Sequence, residues 1–217
     1  MAPDSLTEHE KLFFEEGFRL GSLAAEQADD ETSFLMRITD MYAAMDGLID
    51  SILAMAVKQN VVVDCKKGCA FCCYQAVFAN SYEMHFLSNY LKREFQPGQL
   101  KDVYEKAVVK NDLVSAMGEQ TQLNYKSACP LLLDGACSAY EARPMACRIY
   151  LSMNVESCRE FYTNPEAENK YPQLMEFPLM AGRMMNEGFA AALKRSDIRI
   201  TEFRLEEGLA TVLNNKA

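Results

Sequence analysis

The sequence predicts a mainly α fold, a helical bundle-like domain with a cysteine-rich region of loops and a hairpin. Three observations predict it. Apolar residues recur at three- and four-residue steps before and after the middle of the chain, the mark of amphipathic helices. β-Branched runs are few and short. All eight cysteines lie between Cys65 and Cys158, with none in either end segment.

The N-terminal segment, residues 1–60, reads as two helices. Ser5 to Glu8 and Thr7 to Glu10 both have capping-box spacing. Leu12, Phe13, Phe14, Phe18 and Leu20 follow as an apolar face. A second helix is expected from Asp30 or Thr32. Its stripe is Phe34, Leu35, Ile38, Met41, Tyr42, Met45, Ile49, Ile52, Leu53 and Ala56, read as core because methionine fills gaps in cores. Val61 to Val63 suggest a short strand. In the cysteine-rich region, residues 61–160, Asn80 and Glu83 suit a helix start running to about Phe95, where Pro97-Gly98 stops it. A further helix is expected over Leu100 to Met117. Gly118 to Ser127 reads as a polar connection. Asp134-Gly135 is a tight-turn signal for a hairpin, and Pro144 suits the first position of a short helix carrying Cys147. The C-terminal segment, residues 161–217, is expected to be irregular through Tyr171-Pro172. It is then helical over Met180 to Leu193 and Leu205 to Leu213, with a short strand over Ile198 to Phe203. No repeat or low-complexity linker divides the segments, so they are expected to pack as one domain.

Bulk properties narrow the function. The 217 residues are 49% hydrophobic, enough to build a core without disulfides or a metal. The formal net charge is −9, which argues against nucleic acid and anionic membranes, both of which demand a cationic surplus. Met1 to Glu10 lacks the apolar run of a signal peptide, and no apolar stretch approaches a membrane span. The expected compartment is the reducing cytoplasm, where clustered cysteines are metal ligands or redox groups. In an exported protein, four disulfides would be the alternative.

The chemistry lies in two clusters. Cys65, Cys69, Cys72 and Cys73 have the spacing C-x3-C-x2-C-C. Cys129, Cys137, Cys147 and Cys158 form the second. Thiolates select zinc, copper(I) and iron–sulfur clusters. Small residues at Gly68 and Ala70 let the backbone turn tightly. A helical segment would put offsets 0, 4, 7 and 8 on one face, and a loop achieves the same end. In the vicinal pair Cys72-Cys73, adjacent side chains diverge, so one ligates while the other packs, serves a second site or acts in redox. His9 and His85 lack ligand spacing to any cysteine, so all-sulfur ligation is expected, in one site or two. Arg143 suits a structural ion pair. Arg148 would offset a cluster's negative charge or bind an anionic group. Both are candidate cofactor-binding residues.

Cys65, Cys69, Cys72-Cys73, Cys129-Pro130-Leu131, Gly135-x-Cys137, Tyr140-Glu141-x-Arg143-Pro144-x2-Cys147-Arg148 and Cys158 together resemble the zinc- or iron-chelating family known by its CxxCxxCC motif. The resemblance covers residues 65–158. It departs by one extra residue in the first gap and by Ile149-Tyr150-Leu151 in place of an aromatic-proline pair. It implies a metal-binding protein with an iron–sulfur cluster or zinc and a role in electron transfer or metal handling, with metal and a protein as its partners. A similar cysteine motif in flagellin lysine methylases implies a cluster-dependent transferase as an alternative. A structural zinc site in an interaction domain is another. Iron–sulfur is preferred over zinc, because Cys129-Pro130 is like the Cys-Pro of ferredoxin ligands and the paired C-x2-C of zinc knuckles is missing.

Overall fold

The computed structural model describes residues 6–66, 68–167 and 170–214. It is mainly α-helical, as expected. The chain divides into two compact units, each assembled from separated stretches. One comprises Met1–Val63, Arg148–Leu151 and Met175–Thr201; the other comprises Asp64–Cys147, Ser152–Leu174 and Glu202–Ala217. No helix among the described residues is long and apolar enough to cross a membrane.

The first unit is built from α1 (Glu8–Glu26), α2 (Glu31–Lys58) and α8 (Glu176–Arg195). Thr7 caps α1: Glu10 donates its N–H to the Thr7 hydroxyl, and the Glu10 carboxylate accepts the Thr7 N–H. The alternative cap, Ser5, lies outside the described residues. Of the apolar face expected of α1, Leu20 is buried and Phe13, Phe14 and Phe18 are only partly so. Its buried residues are Gly17, Leu20, Gly21 and Ala24, while Leu12 is 60% exposed. The reason is backbone approach. A Cβ on Gly17 would stand 1.9 Å from the Met185 carbonyl oxygen, and one on Gly188 would stand 2.0 Å from that of Phe14. Gly17 meets Met185 and Gly21 meets Phe189, so α1 and α8 run parallel. Asp30 caps α2 by accepting the Ser33 N–H. The expected stripe is buried at Ile38, Met41, Tyr42, Met45, Ile49 and Ala56. Val61 to Val63 are not a strand. No partner strand pairs with them among the described residues, and Val61 and Val62 stand exposed.

The second unit packs α3 (Ser81–Glu94), α4 (Pro97–Ser115) and α9 (Leu205–Val212) around Met84, Leu87, Leu91, Val103, Ala107, Leu205 and Leu209. Pro97 takes an opening position of α4, so the helix starts before Leu100; the fixed φ of proline suits that place. Gly118 to Ser127 holds a short helix, α5 (Glu119–Asn124), where a polar connection was expected. β1 (Phe78–Asn80) pairs antiparallel with β4 (Glu202–Arg204), Ala79 opposite Phe203. β4 overlaps the end of the expected strand, and its partner had no sequence signal. β2 (Leu132–Leu133) and β3 (Ala136–Cys137) form the expected hairpin. Asp134 (φ 49°) and Gly135 (φ 79°) make its turn, both with the positive φ that a tight two-residue turn requires. α6 (Met145–Arg148) follows Pro144 as expected. Cys158 lies within α7 (Val155–Thr163), capped by Asn154.

Candidate metal centre

All eight cysteines belong to the second unit, and all are free thiols. The first cluster is neither an α-helix nor a simple loop. Cys65 lies outside any helix or strand, and its N–H donates to the Ser152 carbonyl at 3.1 Å. A turn closes through Cys69 N–H to the Lys66 carbonyl at 3.0 Å. Gly68 within it has φ 94°, a conformation open to glycine without steric cost. Cys72 and Cys73 sit in a 3-10 turn, Phe71–Tyr74, where the neighbouring Cys73 thiol favours the protonated form of Cys72.

Two tertiary contacts place this turn. Tyr162 of α7 packs edge-on against Tyr74, with centroids 5.0 Å apart, and stands 5.8 Å from the Phe71 ring. Cys158 lies four residues before Tyr162, on the same helix face. Cys129 N–H donates to the Cys73 carbonyl at 2.7 Å and Ser127 N–H to the Tyr74 carbonyl at 3.1 Å. The β2–β3 hairpin then carries Cys137 opposite Leu132. Cys147 rides on α6, whose first N–H, that of Met145, donates to the buried Glu83 carboxylate at 2.8 Å. The other Glu83 oxygen accepts Asn80 N–H at 3.0 Å. One carboxylate thus ties the Cys147 turn to the start of α3.

The thiols feel one another's charge and share a dry environment. Burial pushes the Cys129 thiol up to about 12, and pushes Cys65, Cys137 and Cys158 up as well. Cys147 is raised further, by burial and then by Cys129, Cys72 and Cys137. Cys72 is raised first by the Cys73 thiol, then by burial. Without a cation these are neutral, protonated thiols, and a bound metal would have to displace the protons. The local backbone suits that exchange. The Cys129 sulfur takes a hydrogen bond from the Leu131 backbone and the Cys137 sulfur one from the Ala139 backbone. Such bonds favour the thiolate. The donor set therefore fits a soft, thiolate-bound metal. Among the described residues, no three His, Cys, Asp or Glu side chains are already gathered into a group able to hold an ion.

The two candidate arginines fall in different places. The Arg143 guanidinium stacks 3.7 Å from the Tyr140 ring, and its charge favours the thiolates of Cys65, Cys72, Cys137 and Cys147. Arg148 is 2% exposed. In the first unit it pairs with Asp46 and lies 4.1 Å from the Tyr42 ring.

Several participants had no sequence signal. The Ser152 carbonyl holds Cys65, and the Ser152 hydroxyl bonds the Cys158 thiol. Asp64 accepts the Val155 N–H that opens α7 at 2.9 Å. Lys110 donates to the Ser127 carbonyl at 3.1 Å, pairs with Glu206 at 3.7 Å and favours the Cys129 thiolate. Lys126 stands 3.7 Å from the Phe161 ring, its ammonium nitrogen buried without a hydrogen-bond partner. Burial pulls its pKa down to about 8. The folded state thus disfavours the charged form: the cost is full below pH 8 and is relieved as pH climbs toward the ordinary 10.5. Lys126→Met is expected to be more stable than the parent at pH 7, with the gain shrinking between pH 8 and 10.5. Paired urea melts across that range check it.

A family model described as a "putative zinc- or iron-chelating domain", under the name CxxCxxCC, matches residues 64–173. No curated protein and no solved structure matches the chain. The matched stretch is half of the chain and takes in every cysteine, so the chain belongs to the CxxCxxCC family of zinc- or iron-chelating domains.

Proposed function

We propose that the chain is a metal-binding protein whose cysteines ligate an iron–sulfur centre, serving electron transfer or metal handling. The observation that carries this reading is the set of eight reduced thiols in one unit, linked by mutual charge interactions and supplied with backbone hydrogen bonds to sulfur. Hydrogen bonds to the sulfurs and nearby charge are the means by which proteins tune iron–sulfur potentials, and Arg143 and Lys110 supply that charge. A bound cluster would supply one-electron chemistry. The chain's own residues hold it, shield it and offset its negative charge.

Zinc is the second reading. The burial of Cys158, at 5% exposure, suits the closed, four-thiolate sites typical of structural zinc. Anaerobic purification followed by iron, zinc and acid-labile sulfide analysis separates the two. Iron with sulfide and visible absorbance that bleaches on reduction supports the cluster. Colourless protein retaining zinc supports the second reading. A protein that holds neither metal, even after reconstitution, refutes both.

A further inference from the structure

The core-facing stripe of α4 includes a lysine. Val103, Ala107, Lys110 and Val114 recur at helical spacing and are all buried. Lys110 is 9% exposed and Glu206 2%, and buried ions persist only with partners. Glu206 divides its carboxylate between two cations. One oxygen stands 3.7 Å from the Lys110 ammonium, the other 3.4 Å from the Arg204 Nε. Each cation then grips the chain that leads from α4 to Cys129. The Arg204 guanidinium donates to the side-chain oxygens of Gln122 in α5, at 3.1 Å, and of Asn111 in α4, at 2.9 Å. Gln122 in turn donates to the Met117 carbonyl at 2.8 Å. Lys110 donates to the Ser127 carbonyl at 3.1 Å. The Ser127 and Cys129 N–H groups meet the Tyr74 and Cys73 carbonyls. The segment entering the second cysteine cluster is thus tied both to two buried cations and to the 3-10 turn of the first cluster.

We infer that Lys110, oriented by Glu206 and through it by Arg204, is the positioning residue that holds the Ser127–Cys129 segment in register with the Cys73–Tyr74 turn. The purpose of that register rests on the proposed metal-binding function; the contacts themselves do not. An ammonium has three donors and no acceptor, so one group can serve a backbone carbonyl and a carboxylate together. A neutral side chain of similar length would leave the Ser127 carbonyl and one Glu206 oxygen without that donor. The cost of such a loss falls on the segment two residues before Cys129, where a shift moves a thiol. Residues that orient metal ligands in this way set affinity without touching the ion. Arg204 and Glu206 come from β4 and α9, so the last elements of the unit act on the second cluster through one ion pair.

Lys110→Met, which removes the charge and the donors but keeps an unbranched chain, tests this in the full-length protein. In the metal-free, reduced state, amide hydrogen exchange at Ser127 and Cys129 should accelerate about 10-fold more than exchange at Leu87 and Leu91 in the α3 core, because the opening is local. Zinc(II) affinity, measured by competition against a chelator, should fall about 10-fold. Lys110→Arg keeps a cation with several donors and should restore most of both. Glu206→Gln should act in the same direction by a smaller factor, since Lys110 keeps its bond to Ser127. Equal acceleration at all four amides, or none at Ser127 and Cys129, overturns the positioning role and leaves Lys110 a packing residue. Should Lys110→Met not fold, Glu206→Gln carries the same comparison. A parent that takes up neither zinc nor, on reconstitution, iron and sulfide overturns the metal-binding reading instead. The exchange comparison, made without metal, then still decides the register.

Discussion

Replacing Glu83 with alanine is expected to lower the stability of the metal-free protein by about 3 kcal/mol and to weaken metal binding by about 10-fold or more. Glu83 is 1% exposed. Its two oxygens accept the backbone N–H groups of Asn80 and Met145. Removing it strands donors in a dry interior, each costing about 1–3 kcal/mol. It also frees the turn that presents Cys147. Metal affinity falls because residues that orient ligands typically contribute about 10–100-fold. Glu83→Gln is expected to recover only part of both losses, since its amide can accept one N–H while turning an NH2 toward the other. Urea unfolding of the metal-free protein and competition against a zinc chelator measure the two effects separately. Unchanged affinity in Glu83→Ala would show that the Cys147 turn holds its shape without the carboxylate.

The second large effect is expected in the first unit. Gly188→Ala places a methyl group 2.0 Å from the Phe14 carbonyl oxygen and 2.8 Å from the Phe18 nitrogen, both backbone atoms of α1. Helix backbone cannot yield as a flexible side chain does, so α1 and α8 must separate. Overpacking of this kind costs about 3 kcal/mol, against a gain of about 1 kcal/mol from alanine's helix propensity. A net loss near 2 kcal/mol is expected. Gly47→Ala is the control. Its Cβ would meet nothing within 4 Å, so only the propensity gain remains and the variant should be more stable than the parent. Thermal melts in which the two substitutions move the midpoint in the same direction would refute the close parallel contact.

These two cases show what the sequence reveals and where it stops. The starts of α1, α2 and α3 were legible, because Thr7, Asp30 and Asn80–Glu83 act on residues three positions away. The hairpin was legible for the same reason, since Asp134-Gly135 forms its own turn. Pairing of β1 with β4 was not, because Ala79 and Phe203 meet only after the intervening chain has folded. The α1–α8 contact was not legible for a different reason: its signal is the small residues Gly17, Gly21 and Gly188, whereas the amphipathic pattern rests on Phe13, Phe14 and Phe18. At the candidate centre, the cysteines and their two clusters were plain from spacing. Ser152, Lys110 and the reach of Glu83 to Met145 were not, since each acts on a partner distant in sequence and of a common residue type.

The interleaving of the two units has a consequence for how this cysteine block can be isolated. Residues 64–173 contain every thiol, yet the unit that houses them also takes its closing strand and last helix from beyond residue 201. Leu205 and Leu209 complete its core, and Glu206 balances the lysine beside Cys129. A fragment limited to residues 64–173 would therefore keep every cysteine and lose the strand and helix that complete the core of its own unit.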